Sequence, residues 1–155
     1  MKECVGILHN IRSIHNVASI FRTADGAGVS KLYLTGFTPT PIDRFGKTRE
    51  QFNKVSLGAE KSVSWEYVLS TTRLVNRLKK EGYIMYALEQ SKQSINYRKV
   101  KIREKFALVM GNEVRGIPKS LLSKIDNVIE IPMRGKKESL NVAVAFGVAV
   151  YHFLA

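Results

Sequence analysis

Cysteine is nearly absent from this chain of 155 residues, in which Cys4 is the only one. One cysteine cannot form a disulfide within the chain, and it cannot supply the ligands of a zinc site. The three histidines, His9, His15 and His152, share no metal-ligand spacing, so we expect no metal ion. The first residues also lack the architecture of a signal peptide. We therefore expect a protein of a reducing compartment, the cytoplasm.

Long apolar runs and glycine-rich phosphate motifs are missing as well. The nearest candidate for a membrane span, residues 140–155, is too short and is typical of a buried helix. The sequence has no GxGxxG after its first apolar run, no GxxxxGK followed by serine or threonine, and no GxSxG. These absences argue against a dinucleotide-binding fold, a P-loop protein and a serine hydrolase.

Acidic residues are scarce relative to basic ones. The chain has 13 aspartate and glutamate residues against 25 lysine and arginine residues, and its formal net charge is +12. Such an excess favours a polyanionic partner, with nucleic acid first, over a merely solvated basic surface. Part of the excess lies in the long irregular segment 36–54, which suits phosphate contact or a solvated loop.

The apolar pattern alternates between strands and helices. It predicts strands at 5–9, 31–35, 63–65, 83–88, 106–110 and 127–132, and helices at 17–27, 67–81 and 140–154. Repeated strand–loop–helix units are typical of an open α/β sheet. The last helix is apolar on almost every face, and a chain of this size covers both faces most simply by forming a homodimer.

Polar and glycine residues gather after the last two predicted strands, where an open α/β sheet binds its ligands. They are Gly111, Asn112, Glu113, Arg115 and Gly116 after one strand, and Ser139 and Asn141 after the next. Asn16 and Arg22 follow the first strand in the same way. Each also has a purely structural explanation: Asn16 and Ser139 as helix caps, Arg22 as a helix-edge residue and Glu113 as a first-turn acid.

Three segments resemble the signature motifs of the SpoU (TrmH-type) branch of the SPOUT RNA methyltransferases. They read HNVASIFRTADGAGV, ALVMGNEVRGIP and IPMRGKKESLNVAVAFGVAVY, in the family's order and spacing, and cover nearly the whole chain. The resemblance implies a parallel sheet with helices on both faces and a C-terminal deep trefoil knot, in a homodimer that binds S-adenosylmethionine. It also implies methyl transfer to a ribose 2′-hydroxyl of tRNA or rRNA.

The resemblance also implies the roles of individual residues. The matching catalytic positions are Arg22, Asn16, Glu113, Ser139 and Asn141, and the cofactor pocket is lined by Leu88, Gly111, Ile131, Met133 and Leu140. Because arginine does not lose its proton near neutral pH, we expect Arg22 to hold a phosphate beside the target ribose and to stabilise the developing alkoxide. Glu113 would brace Arg22 or a loop amide. The first-motif residues would serve their own subunit or its partner.

Longer relatives carry an extra RNA-binding domain, whereas we expect one domain here, residues 1–155, whose own surface binds the RNA. The expected contacts are Arg44, Lys47, Arg49, Lys54, Arg134, Lys136 and Lys137, with the basic segment 98–105 as a further candidate. The alternative function is an RNA-binding module that keeps the fold without turnover. The five intact polar residues favour the enzyme, and the motif set argues against methylation of a base.

Overall fold

The computed structural model describes all residues, Met1–Ala155, and contains one seven-stranded sheet. Its strands are β1 (Glu3–His9), β2 (Lys31–Thr35), β3 (Ser64–Val68), β4 (Ile84–Leu88), β5 (Ile95–Asn96), β6 (Lys105–Met110) and β7 (Asn127–Glu130). All pairings are parallel, and the strands lie in the order β3-β2-β1-β6-β4-β7-β5. The predicted open parallel sheet is confirmed, while the trefoil knot stays a prediction.

Six α-helices connect or flank the strands, and a 3-10 helix, Tyr97–Lys99, follows β5. The α-helices are α1 (Ile14–Ala27), α2 (Glu50–Ser56), α3 (Ala59–Ser62), α4 (Thr71–Lys80), α5 (Lys119–Leu122) and α6 (Val142–Leu154). None of them combines the length and the apolar character that crossing a bilayer requires. No group of three or more histidine, cysteine, aspartate or glutamate side chains is arranged to hold a metal ion.

The two faces of the sheet carry separate cores, so helices cover both faces as expected. Along β1, Leu8 packs into a core that contains Phe21 of α1 and Phe146 of α6. The preceding residue, Ile7, packs into the other core with Leu74 of α4. Successive side chains of a strand point to opposite faces, and strands buried on both faces read as continuous apolar runs.

Local signals explain where the helices begin. Ser13 caps α1, because its hydroxyl oxygen accepts from the backbone N–H of Asn16, which therefore lies in the first turn of the helix. The helix predicted to begin at residue 67 begins at Thr71 instead, with Ser70 as its cap. Tyr67 and Val68 extend β3, since aromatic and β-branched residues favour strands. The segment 36–54 is irregular only up to Arg49, the N-cap residue of α2.

The strand order creates a crevice near the middle of the sheet. β6 lies between β1 and β4, although it follows both of them in the chain. From β1 the chain runs outward to β3 at one edge, and from β4 it reaches β5 at the other. Connections that diverge in this way leave space at the carboxyl ends of the central strands, where open α/β sheets bind ligands.

Candidate active site

A cavity of about 310 Å³ opens at the carboxyl ends of β4, β6 and β7. Leu88, the last residue of β4, lines it with apolar surface, as do Ile131, which follows β7, and Leu140. Gly111, directly after β6, forms part of the same wall. A volume of this size falls at the lower end of the range for small-molecule sites.

Glu113 holds the loop between β1 and α1 against this cavity. Its Oε1 atom accepts from the backbone N–H of Arg12 at 2.9 Å, and its Oε2 atom accepts from the N–H of Ser13 at 3.0 Å. The side-chain amide of Asn16 donates to the same Oε2 atom at 3.1 Å. Partial burial opposes the charge, but these hydrogen bonds outweigh it and hold the pKa of Glu113 below its usual value. Glu113 is therefore a carboxylate at neutral pH and braces loop amides.

Asn141 continues this network from the other side of the cavity. Its amide donates to the Oδ1 atom of Asn16 at 3.1 Å. Its own Oδ1 atom caps α6 by accepting from the N–H groups of Ala143 at 2.9 Å and Val144 at 3.3 Å. Since both bonding groups of the amide are engaged, Asn141 has one fixed orientation, and so does Asn16.

The loop after β6 is closed by its own side chains and by Glu89. Asn112 and Gly116 exchange two backbone hydrogen bonds, and the Asn112 side chain accepts from the N–H groups of Val114 and Arg115. The Oε2 atom of Glu89 accepts from the N–H of Ile117 at 2.7 Å. These bonds fix the turn that presents Glu113.

Gly111 and Gly116 allow this close packing. A Cβ atom at Gly111 would lie 2.5 Å from Cγ1 of Ile117 and 2.7 Å from the carbonyl carbon of Gly116. Gly116 has a φ of 66° and faces Glu89, so a side chain there would meet both backbone strain and a carboxylate.

The structure brings most of the predicted site residues together. The cavity is lined by Asn16, Glu113, Ser139 and Asn141 of the predicted catalytic set and by Leu88, Gly111, Ile131 and Leu140 of the predicted cofactor set. Arg22 does not line it, because it lies exposed on α1, and the half-buried Met133 does not line it either.

None of the predicted RNA contacts lines the cavity. Six of them are exposed: Arg44, Lys47, Lys54, Arg134, Lys136 and Lys137. Arg49 is half buried, and its Nε atom donates to the carbonyl oxygen of Thr40 at 3.1 Å. Lys54 forms an exposed ion pair with Glu50 at 3.6 Å. Of these seven residues, Arg49 is therefore the one whose side chain stabilises the irregular loop before α2.

Sequence reasoning missed several groups of the site. Glu89, Gln90 and Glu130 line the cavity, and Asn10 shapes the loop beside it. Each lies at the carboxyl end of a strand or just after it, which was the available signal. Asn10 also has a positive φ of 52°, a conformation that asparagine tolerates better than most residues.

The charge of the cavity lining differs from that of the molecule. Three carboxylates line the cavity, from Glu89, Glu113 and Glu130, and no lysine or arginine does. The whole chain, by contrast, has a formal net charge of +12. Such a lining favours a ligand with positive charge over a phosphorylated one, because opposite charges stabilise each other where solvent is partly excluded. A sulfonium compound with an apolar aromatic part, such as S-adenosylmethionine, fits this chemistry.

Comparison with known proteins gives a family. The model of the SpoU rRNA Methylase family matches residues 4–151. The chain belongs to this family. Among other SpoU proteins, it is 32% identical over 150 residues to a tRNA (guanosine(18)-2′-O)-methyltransferase of Aquifex aeolicus, covering 97% of this chain and 68% of that protein.

Two further relatives extend the comparison. A 23S rRNA (guanosine-2′-O-)-methyltransferase of Xanthomonas axonopodis is 30% identical over 150 residues, covering 97% of this chain and 57% of that one. The AdoMet-bound rRNA methyltransferase of Sinorhizobium meliloti superposes with a TM-score of 0.86 at 27% identity, covering 96% of this chain and 54% of that one. The chain thus spans between about half and two thirds of the length of these SpoU relatives. The predicted family and its parallel sheet with helices on both faces are confirmed.

Proposed function

We propose that this protein transfers a methyl group from S-adenosylmethionine to a ribose 2′-hydroxyl of tRNA or rRNA. The observation that carries the proposal is the acidic cavity at the carboxyl edge of the sheet, walled by the linked side chains of Asn16, Glu113 and Asn141. The relatives named above, which act on guanosine riboses of tRNA and of 23S rRNA, support the same chemistry.

The cavity residues divide into those that hold the cofactor and those that organise the acceptor. Leu88, Ile131 and Leu140 offer apolar surface for an adenine ring. Glu89 and Glu130 place negative charge near the positive groups of the cofactor. When bound, S-adenosylmethionine supplies an electrophilic methyl group. Gly111 has no side chain, which lets the turn at Gly116 and Ile117 close against it and complete this part of the wall.

The acceptor ribose requires alignment and charge stabilisation. Ser139 is exposed beside the cavity, and we assign it and Asn141 to positioning the ribose. Arg22, which stays protonated, would bind the adjacent phosphate and stabilise the developing alkoxide, while the hydroxyl proton passes to water and the donor leaves as S-adenosylhomocysteine. Glu113 keeps the loop amides of Arg12 and Ser13 in place.

In a homodimer, Arg22 of one subunit would reach the cavity of the partner subunit. It lies exposed on α1, outside the cavity of its own chain. The neighbouring helix α6 presents a stripe of exposed apolar side chains, Val144, Val148 and Tyr151. Burying this stripe against a second copy would remove apolar surface from water. A Val148→Asp variant should therefore sediment as a monomer and lose methyl transfer.

RNA would be bound by the surface of this one domain. The exposed cations Arg44, Lys47, Lys54, Arg134, Lys136 and Lys137, with Arg49, would contact phosphates. We place this reaction in the cytoplasm, where the unpaired Cys4 would stay reduced.

Calorimetric titration with S-adenosylhomocysteine, the reaction product, tests the cofactor site. We expect saturable binding near one molecule per subunit, and methyl transfer to bulk tRNA or rRNA that yields nucleosides resistant to alkaline cleavage. Arg22→Ala should keep the binding and lose the transfer. Full activity of that variant would remove Arg22 from the catalytic residues. RNA binding without any binding of S-adenosylhomocysteine would instead identify a non-enzymatic RNA-binding module.

A further inference from the structure

An exposed apolar patch lies outside the cavity lining and has no role in the site described above. Phe37 is 60% exposed, Tyr67 43% and Leu69 76%. Two hydrogen bonds hold these residues together. The Tyr67 hydroxyl donates to the carbonyl oxygen of Gly36 at 2.6 Å, and the N–H of Gly36 donates to the carbonyl oxygen of Leu69 at 3.3 Å. We call Phe37, Tyr67 and Leu69 the edge patch.

The edge patch lies on the same edge of the sheet as the cavity, because its residues stand at or just beyond the carboxyl ends of β2 and β3. The N–H of Phe37 donates to Oδ1 of Asn10 at 3.0 Å. The carbonyl oxygen of Asn10 accepts from the side chain of Asn112 at 2.8 Å, and the next residue is Glu113. Two hydrogen bonds therefore connect Phe37 with the loop that forms the cavity wall.

Basic side chains follow the edge patch closely in the sequence. Arg44 and Lys47 are exposed in the loop that begins at the patch, and Arg73 is exposed in the first turn of α4, just after it. The guanidinium of Arg44 lies 4.8 Å from the ring centre of Phe45, which is also exposed. The one carboxylate in this stretch of loop, Asp43, already accepts from backbone N–H groups there.

We propose that the edge patch is a stacking platform for an unpaired RNA base next to the methylated nucleotide, with Phe37 as its main contact. The proposal rests on the proposed function, since it extends the RNA path from the active site. Unpaired RNA bases stack on exposed aromatic rings, and the phosphates on either side pair with lysine and arginine. A second copy of this chain is a poorer occupant, because its basic loops would meet basic loops.

The binding of a single-stranded RNA by Phe37 variants tests this platform. The probe is a fluorescently labelled oligonucleotide of about 12 nucleotides, within the range that single-strand grooves cover. Fluorescence anisotropy should show that Phe37→Ala binds it roughly 5- to 150-fold more weakly, which corresponds to the loss of one base–aromatic stack. Phe37→Tyr keeps the ring and should bind as the native protein does. Leu57→Ala removes an equally exposed apolar side chain elsewhere and should have no effect.

Salt dependence separates stacking from phosphate contact. Phe37→Ala should leave the slope of affinity against salt concentration unchanged, whereas Lys47→Ala should make it shallower. The platform proposal would be overturned if Phe37→Ala bound the RNA as tightly as the native protein, or if the native protein did not bind it. A change of oligomeric state in Phe37→Ala would also overturn it. The last result would identify a protein interface instead.

Failure of the proposed function has a different signature. In that case the native protein would bind no S-adenosylhomocysteine and transfer no methyl group, yet the difference between Phe37→Ala and Phe37→Tyr in RNA affinity would persist. Conversely, methyl transfer that is unaffected by Phe37→Ala at limiting RNA concentration would retain the enzyme and overturn the platform.

Discussion

The side-chain amide of Asn141 donates to Oδ1 of Asn16 at 3.1 Å, so two residues far apart in the chain share one fixed orientation. Asn16 passes this orientation on to Glu113, whose Oε2 atom accepts from its amide. The start of α6, the first turn of α1 and the loop after β6 are therefore parts of one hydrogen-bonded unit.

Replacing Asn141 separates its two roles. Asn141→Asp keeps an oxygen that can cap α6. It replaces the amide that donates to Oδ1 of Asn16 with a carboxylate oxygen, so that hydrogen bond is lost. We expect a fold of near-native stability with methyl transfer reduced by at least about tenfold, the effect of about 1.4 kcal/mol. Asn141→Ala also loses the cap and should lower the free energy of unfolding by about 1 kcal/mol. Urea denaturation and methyl-transfer assays measure the two effects. A fully active Asn141→Asp protein would show that the contact with Asn16 is not needed.

Neutralising Glu113 should destabilise the loop that carries Arg12 and Ser13. In Glu113→Gln the new amide nitrogen faces N–H donors, which costs about 1 kcal/mol for a group this exposed. The pKa of Glu113 is lowered in the folded protein, so its contribution is complete above the unfolded pKa of about 4.3 and is lost as pH falls through the folded pKa. The difference in unfolding free energy between the two proteins should therefore shrink below about pH 4. A difference that stays constant with pH would contradict this role.

A side chain at Gly111 should disturb the cavity wall. The Cβ atom of Gly111→Ala would overlap Ile117 and the backbone of Gly116, which costs about 1 to 3 kcal/mol. We expect a lower melting temperature and an affinity for S-adenosylhomocysteine at least about tenfold weaker. Gly135→Ala is the matched control in the loop before α6, because no atom lies within 4 Å of a Cβ atom there. Native affinity in Gly111→Ala would mean that the wall adjusts without cost.

His9 should make stability depend on pH near neutrality. The hydroxyl of Thr71 donates to Thr35, so it must accept from Nδ1–H of His9 at 2.7 Å, while Nε2 faces the amide of Asn10 at 3.3 Å. The imidazole is therefore neutral in the folded protein, and burial lowers the pKa of His9.

Protonation of His9 should favour the unfolded chain. Because its folded pKa lies below the unfolded value of about 6.5, stability is complete above that value and falls as pH drops toward the folded pKa. His9→Asn keeps a donor for Thr71 and cannot titrate. Urea denaturation between about pH 7.5 and about pH 5.5 should show a smaller loss of unfolding free energy for this variant than for the native protein. Parallel curves would contradict the assignment.

Much of the fold could be read from the sequence because parallel strands buried on both faces are continuous apolar runs. The runs at 5–9, 31–35 and 106–110 became β1, β2 and β6 within two residues. The order of the strands could not be read, since nothing local indicates that β6 lies between β1 and β4. The two-residue strand β5 carries no pattern at all, and the start of α4 was wrong because Tyr67 and Val68 continue a strand.

The candidate site was partly predictable for a related reason. Residues directly after strands are forced to one edge, so Glu113 and Asn141 could be expected to meet. Glu89 was missed because the group that it binds, the N–H of Ile117, belongs to a different loop. Arg22 lies exposed and outside the cavity lining because of how α1 packs on the sheet, which a pattern within the helix does not contain.

The place of β6 in the sheet also determines when the sheet can be completed during synthesis on the ribosome. Val5 in β1 lies opposite Ala107, and Ile84 in β4 lies opposite Phe106, so the first hundred residues can pair β1, β2 and β3 but leave β4 and β5 without a neighbouring strand. Pairing over such sequence distances is slow, and open edges invite association with other chains. The strand that joins β1 to β4, β6, also leads directly into the loop that carries Gly111 and Glu113. Closing the sheet and assembling the site are therefore one late event in the synthesis of the chain.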